Sequence, residues 1–407
     1  MPVTSFKVYR YRWTMLLVFM FIVTMNQMLW ITFAPITSKA AQFYRVSDLL
    51  IGLLSMSFMI VYLFVAIPAS WAIDTYGFRI AVGIGAVLTG VFGLVRGLAP
   101  ANYTVVLLAQ IGIAVGQPFI LNSLTKVAAR WFPLSERATA TGLGTLAMYL
   151  GIIIGMFLTP LLTLKYGLRQ TLLFFGIASA VSAVTFLLFA KEHPPTPPCP
   201  PGHEERSLMF DGLKSVFRQK DFIWLMVIFF IGLGVFNAVS TWIENIIKPR
   251  GFSTGQAGVL GGLMVTGGIV GAAILPIFSD RSHRRKPFII LALLGSGFGL
   301  LGMTFAAQYG LLLFSGFLFG FFLLSAGPIG FQYGAEVTYP APEGTSNGLL
   351  ILMGQISGII FIFAMDGFKS KVTGSMTASM LVSAGLVLIA FILSFKLRES
   401  ALLKGHE

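Results

Sequence analysis

The chain has 407 residues, of which 56% are hydrophobic and only 11% are charged, and its mean hydropathy is +0.85. This composition excludes an ordinary soluble domain and indicates a polytopic membrane protein. The net charge of +13 would suggest nucleic-acid binding in a soluble protein, but here the basic residues must first be sorted by membrane side, and we expect no nucleic-acid partner. The single cysteine, Cys199, excludes an internal disulfide and argues against a cysteine metal cluster.

Long apolar runs predict an all-α protein with twelve membrane-spanning helices. Each run can cross a hydrocarbon core about 30 Å thick, and the lack of alternating polarity argues against a β-barrel. The first six spans lie near residues 13–37, 49–73, 80–98, 104–129, 137–163 and 170–190. The second six lie near residues 222–247, 255–279, 287–307, 309–333, 344–367 and 373–396.

A proline-rich segment, "KEHPPTPPCPPGHEERSLMFDGLKSVFRQKD", separates the sixth span from the seventh. Prolines hold an extended, semi-rigid spacer, which makes this segment a natural boundary. We therefore predict an N-terminal six-helix bundle over residues 1–190, a cytoplasmic linker over 191–221 and a C-terminal six-helix bundle over 222–407.

The basic residues predict the orientation of the chain. On the twelve-span map, 19 of the 28 Lys and Arg residues fall on the side that holds both termini and the linker. Because basic loops stay in the cytoplasm, we expect both termini there, in a plasma or inner membrane. The first apolar run, about 25 residues long, lacks a convincing cleavage site and is interpreted as a retained helix rather than a signal peptide.

Two loops repeat at half the chain length. The loop after span two carries Asp74, Gly77 and Arg79, and the loop after span eight carries Asp280, Arg281 and Arg285, with His283 in place of the glycine. Both resemble the Asp-x-x-Gly-x-Arg loop of the major facilitator superfamily. We expect a charge clasp, in which an acid at one helix end pairs with a base or a helix N-terminus on the neighbouring bundle and stabilises one gate state. The alternative is that these are solvated loop charges.

Side-chain amides inside the spans point to a binding site. In span one, Asn26, Gln27 and Trp30 share one helical face. The resemblance implies that spans one, four, seven and ten line a cavity with span eleven beside it. Amides on those spans are expensive in lipid and are expected to face the bundle interior, either as substrate ligands or as bonds between helices. The further candidates on these spans are Gln117, Asn122, Asn237 and Gln355.

Chemistry of other kinds finds little support in the sequence. No serine, cysteine and histidine arrangement and no phosphate-binding glycine loop stands out, so we expect no enzyme, no cofactor and no metal site. Of the fifteen acidic residues, only Glu244 and Asp366 are placed within predicted spans. Glu244 either couples transport to a cation or proton or pairs structurally with Lys248 or Arg250.

The predicted cavity contains amides and aromatic rings but no evident Arg or Lys in mid-membrane. An organic anion would normally require a fixed cation, so the lining favours a neutral, zwitterionic or cationic solute. Trp30 could hold an ammonium group by cation–π attraction, although tryptophan in a membrane helix often serves packing alone.

Three segments resemble a narrower family. They are "NQMLWITFAPI", "GQPFILNSLTKVAARWFPLSERATATGLG" and "EVTYPAPEGTSNGLLILMGQISGII". They are similar to transporters related to the feline leukaemia virus subgroup C receptor, solute carrier family 49. The resemblance implies movement of choline, ethanolamine or related metabolites, and it matches Trp30, Gln117 and Gln355 to the family's motifs. Asn237 stands where the choline-carrying members have an aromatic residue.

We therefore predict a monomeric, facilitative, alternating-access transporter of a small organic cation, zwitterion or neutral metabolite, with the lipid bilayer as its other partner. One alternative is a proton-coupled transporter of organic acids or drugs. The other is a transport-inactive receptor built on the same fold.

Overall fold

The computed structural model describes residues 8–133, 136–196, 198, 213–339, 341 and 343–399. All regular structure in these residues is helical. The α-helices, in chain order, are α1 (Tyr11–Ile31), α2 (Thr37–Tyr44), α3 (Asp48–Tyr76), α4 (Phe78–Leu98), α5 (Tyr103–Leu121), α6 (Leu124–Trp131), α7 (Arg137–Tyr166), α8 (Leu168–Phe189), α9 (Leu213–Val216), α10 (Lys220–Thr241), α11 (Ile243–Ile247), α12 (Thr254–Arg281), α13 (Lys286–Phe305), α14 (Tyr309–Thr338), α15 (Glu343–Gly367) and α16 (Thr377–Ser394).

The described residues form twelve helical segments that are long and apolar enough to cross a membrane, so the predicted number of spans is confirmed. Span one, Tyr11–Tyr44, contains α1, a 3₁₀ turn at Ala34–Ile36 and α2. Span four, Tyr103–Trp131, contains α5 and α6. The first and fourth spans are therefore interrupted helices, which the hydropathy pattern does not reveal.

The chain forms two compact units. The first contains residues 1–30, 61–155 and 162–208, and the second contains residues 31–60, 156–161 and 209–407. The predicted division into bundles over residues 1–190 and 222–407 follows the order of the sequence, whereas the two compact units each combine several segments. The two bundles therefore stay a prediction. Nearly half of the predicted linker, residues 197 and 199–212 with Cys199, lies outside the described part of the chain.

Glycine allows the helices of the first unit to pack closely. A Cβ on Gly85 of α4 would collide with the carbonyl oxygen of Gly116 on α5, and a Cβ on Gly90 would collide with Ala183 on α8. In lipid, such small residues replace the hydrophobic effect as the means of bringing helices together. Gly116 is therefore a packing residue at this contact.

Glycine residues also allow α12 and α14 to pack closely in the second unit. A Cβ on Gly320 would meet the carbonyl of Met264, and one on Gly271 would meet the carbonyl of Phe321. On α15, Gly354 and Gly358 pack on α10, against Leu233 and Asn237 respectively. These approaches leave no room for side chains larger than glycine.

A carboxylate caps the N-terminus of a span in each half of the chain. Glu192, after α8, accepts hydrogen bonds from the backbone N–H groups of Phe78 (3.2 Å) and Arg79 (2.7 Å) at the start of α4. Glu399, after α16, accepts them from the N–H groups of Arg285 (3.0 Å) and Lys286 (3.1 Å) at the start of α13. Both carboxylates accept hydrogen bonds from N–H groups that have no partner within the helix. Their negative charge is also attracted to the positive end of the helix dipole.

Gly77 permits the first of these caps. Its φ of +84° is strained for any residue with a side chain, and a Cβ there would strike the carboxylate of Glu192. The equivalent residue in the second half, His283, has a φ of +53°. The second loop thus keeps a left-handed residue where the sequence lacks the glycine.

We predict that Gly77→Ala lowers the thermal unfolding temperature. The left-handed conformation costs an alanine about 1–2 kcal/mol, and the added methyl group also displaces Glu192. Thermal unfolding of purified protein in detergent measures the effect. Gly142→Ala is the matched control, because Gly142 lies within α7 with nothing near its missing Cβ. Equal unfolding temperatures for the two variants would contradict this account of the cap.

Candidate functional site

The span-one amides point into the first unit. Asn26 is fully buried and donates from Nδ2 to Thr89 Oγ1 on α4 at 3.1 Å. Gln27, also buried, donates from Nε2 to Asn26 Oδ1 at 3.4 Å. Asn26 therefore has a partner for both polar atoms of its side chain. Its placement favours the bond between helices that the sequence analysis offered as the alternative to a substrate ligand.

Thr89 also connects span one to span four. Its hydroxyl oxygen lies 3.2 Å from the point where a Cβ would stand on Gly116, the residue before Gln117. Thr89 thus lies beside both Asn26 of span one and the Gly116 turn of span four. Gln117 itself is largely buried, yet its side chain makes no hydrogen bond to the described residues.

Asn122 lies at the break between α5 and α6. Its Oδ1 accepts from the hydroxyl of Tyr62 at 3.1 Å, and its Nδ2 donates to Ser70 Oγ at 3.2 Å. Both partners lie on α3, so the amide links the interrupted span four to span two. This arrangement accounts for Asn122 by packing alone.

Trp30 lies in the last turn of α1, with 8% of its surface exposed. Directly beside this turn is Arg96, a fully buried arginine of α4 that the sequence analysis did not single out. Its Nη1 donates to the carbonyl oxygen of Leu29 at 3.1 Å and to Gln110 Oε1 at 2.8 Å. Arg96 lies in the last turn of α4 and has no exposed surface, so the expectation that the cavity holds no Arg or Lys in mid-membrane stays a prediction.

In the second unit, span seven and span eleven bring two predicted residues together. Asn237 of α10 donates from Nδ2 to the carbonyl oxygen of Gly354 at 3.2 Å, and Gln355 is the next residue of α15. Within the described chain, the Oδ1 of Asn237 and the whole amide of Gln355 make no hydrogen bond, and both side chains are partly exposed. These atoms retain the capacity to bind a solute.

Glu244 lies outside span seven, which ends at Thr241, and is on the short helix α11. It is buried, and its carboxylate accepts hydrogen bonds from Ser38 N (2.7 Å), Ser38 Oγ (2.6 Å) and Thr254 Oγ1 (2.8 Å). The predicted pairing with Lys248 or Arg250 is wrong, because Glu244 has no ion pair among the described residues. The guanidinium of Arg250 instead binds carbonyl groups at the end of α13, including that of Met303 at 2.8 Å.

The acid of the first repeated loop pairs within its own unit, whereas the sequence predicted a partner on the neighbouring bundle. Asp74, in the last turn of α3, pairs with Lys126 of α6 at 3.3 Å, and the lysine is buried. Gly77 and Arg79 act in this loop through their backbones. Gly77 adopts a positive φ, and the N–H of Arg79 donates a hydrogen bond to Glu192. The Arg79 side chain is exposed.

The second gating loop centres on a buried arginine. Arg285 bonds to Asp280, and its guanidinium also pairs with Glu336 of α14 at 3.1 Å. Burial lowers the pKa of Arg285, but the bonds to the two carboxylates outweigh this effect and raise it above its usual value. Arg281 is exposed. The sequence did not predict the pairs Lys126–Asp74 and Glu336–Arg285, because more than 50 residues separate the two partners of each pair.

Within the part of the chain that the structure describes, no group of three His, Cys, Asp or Glu side chains is placed to hold a metal ion.

Comparison with known proteins identifies the family. The chain matches the Major Facilitator Superfamily profile over residues 15–362. The choline/ethanolamine transporter flvcr2a of Danio rerio is 31% identical, with 98% of this chain and 90% of that protein covered. Solute carrier family 49 member A3 of Xenopus tropicalis is also 31% identical, over 88% of this chain and 78% of that protein.

Solved structures show the same fold. A bacterial homologue of the human lysosomal transporter Spinster has a TM-score of 0.76 at 16% identity and covers 96% of this chain and 98% of its own. A D-xylose–proton symporter has a TM-score of 0.72 at 16% identity, with 97% and 99% covered. The helices, the repeated loops and these similarities lead to one conclusion: the chain is an integral membrane secondary transporter that belongs to the major facilitator superfamily and, within it, to solute carrier family 49.

Proposed function

We propose that this transporter moves a small organic cation of the ethanolamine and choline type by facilitated, alternating-access transport. One observation carries the proposal: Gln117 and Gln355, on two spans that the family resemblance assigns to the cavity, bear amides without a hydrogen bond in the described chain. A polar group at membrane depth is costly unless it is paired. A hydroxyl-bearing solute supplies the missing partners. Relatives about 30% identical are named choline/ethanolamine transporters.

Trp30 and Asn237 define the expected selectivity for the charged end of the solute. The indole face of Trp30 attracts an ammonium group. Asn237 offers Oδ1 as an acceptor, because its Nδ2 is bound to Gly354. A primary ammonium donates to such an oxygen, whereas a quaternary ammonium has no N–H to give. We therefore propose ethanolamine-like solutes ahead of choline-like ones.

The gate and the orientation complete the proposal. The clasps Asp74–Lys126 and Asp280–Arg285–Glu336 stabilise one gate state of each half, and Gly77, Arg79 and Arg281 belong to the same loops. Both termini face the cytoplasm, since the more basic side of a membrane protein stays there. The protein acts as a monomer in a plasma or inner membrane.

Flux into liposomes tests the proposed function. We expect uptake of radiolabelled ethanolamine by the wild type, with a KM at least about tenfold higher in Trp30→Leu, because a desolvated cation–π contact contributes about 2 kcal/mol. Trp30→Phe should lie between the two. Trp71→Leu is the control, since Trp71 is exposed on α3.

Unchanged ethanolamine and choline kinetics in Trp30→Leu would contradict the ammonium site. Uptake of organic anions alone would contradict the substrate class.

Proton-coupled transport is the second candidate, favoured by the buried carboxylate of Glu244, which has no ion pair among the described residues. The three hydrogen bonds that it accepts give it a structural task instead. They connect α2, α11 and the first turn of α12 within the second unit. We propose that this task accounts for Glu244 and that transport does not depend on a proton gradient.

We predict that Glu244→Gln lowers the unfolding temperature, because an amide nitrogen would face a hydroxyl or backbone donor, at a cost of about 1–3 kcal/mol. The response of ethanolamine uptake to an imposed pH gradient should stay as in the wild type. Lys248→Met should change neither quantity, since Lys248 is exposed and unpaired with Glu244. A pH-driven uptake that is abolished only in Glu244→Gln would favour the proton-coupled alternative.

A further inference from the structure

Arg96 and Gln110 form a closed arrangement around one carbonyl group. Gln110 of α5 donates from Nε2 to the oxygen of Leu29 at 3.2 Å, and Arg96 of α4 donates to the same oxygen at 3.1 Å. Arg96 also donates to Gln110 Oε1 at 2.8 Å. Both side chains are fully buried. We call these two residues the Arg96–Gln110 bracket.

The bracket acts on the C-terminus of α1. The last four carbonyl groups of an α-helix lack N–H partners within the helix, and Leu29 lies in the last turn of α1, which ends at Ile31. The positive charge of Arg96 is attracted to the negative end of the helix dipole, and burial strengthens this attraction. The helix end thus receives from α4 and α5 the bonds that its own sequence does not supply.

The side chain of Leu29 is held as well. Its Cδ1 lies 3.5 Å from the position of a Cβ on Gly93, one turn before Arg96 on α4. Leu29 is therefore fixed at its carbonyl by the bracket and at its side chain by the small-residue surface of α4. Because Trp30 follows directly in the same turn, the direction of its indole depends on these contacts.

We propose that Arg96 and Gln110 are positioning residues that set the orientation of Trp30 and thereby the affinity for the ammonium group. Neither side chain touches the substrate, since both are fully buried. The statement about affinity rests on the proposed function, whereas the statement about orientation does not.

Fluorine NMR of protein labelled with 5-fluorotryptophan tests the orientation. The chain has six tryptophans, and the Trp30→Phe variant assigns the resonance of Trp30. We expect that resonance to shift or broaden in Arg96→Met and in Gln110→Leu, and to return toward the wild-type position in Arg96→Lys, which restores a charged donor. Should Arg96→Met fail to fold, Gln110→Leu and Arg96→Lys decide the question.

Arg250→Met is the matched control. Arg250 also binds carbonyl groups at a helix end, that of α13, but it belongs to the second unit. The variant should lose stability without moving the Trp30 resonance. A Trp30 resonance that stays unchanged in folded Arg96→Met and Gln110→Leu, or that moves equally in Arg250→Met, would overturn the proposal.

Flux measurements test the consequence for binding. In Gln110→Leu we expect the KM for ethanolamine to rise by about tenfold with kcat within about twofold, since Gln110 loses its hydrogen bonds to Leu29 and Arg96 and the reoriented Trp30 binds the ammonium group less tightly. A purely structural role would reduce the amount of folded transporter and leave KM unchanged, which would contradict the proposal. If the wild type carries neither ethanolamine nor choline, the proposed function fails, while the fluorine spectra still decide the role of the bracket.

Discussion

Polar groups buried in the apolar spans must find hydrogen-bond partners inside the protein, and this constraint organises both units. Asn26 is hydrogen-bonded to Thr89, and Asn122 is hydrogen-bonded to Tyr62 and Ser70. The carbonyl oxygen of Leu29 accepts hydrogen bonds from Arg96 and Gln110. Gln117 and Gln355 do not meet it within the described chain. The distinction separates side chains that hold helices together from those that remain available to a solute.

The two halves of the chain solve the same physical task with different residues. Glu192 and Glu399 each cap the N-terminus of a span, and each cap stands beside one of the repeated loops. The acid of the first loop pairs with Lys126, whereas the second loop uses Arg285 to join Asp280 to Glu336. The partly buried acids of the two loops thus have a basic partner inside their own unit, as a charge removed from water requires.

The spans could be predicted because hydropathy is a local property, and the close glycine contacts could be predicted from their spacing. The residues that the sequence analysis missed act over long distances. Arg96 lies at a span end, where a basic residue is normally solvated, and only the fold brings it to Leu29 on another helix. The donors to Glu244 include Ser38, more than 200 residues away, so the neighbouring Lys248 and Arg250 were the natural but wrong partners. Among the predicted site residues, the sequence could not separate Asn26 from Gln117, because both are amides in apolar helices and only the packing shows which one is already bonded.

The most direct test compares the unfolding temperature of Gln117→Met with that of the wild type, each with and without saturating ethanolamine. A ligand that binds only the folded state raises this temperature. The account predicts that Gln117→Met keeps the wild-type unfolding temperature without ligand and loses most of the rise that ethanolamine causes. A lower unfolding temperature without ligand, together with an undiminished rise on adding ethanolamine, would show that Gln117 holds helices together and would contradict the central claim.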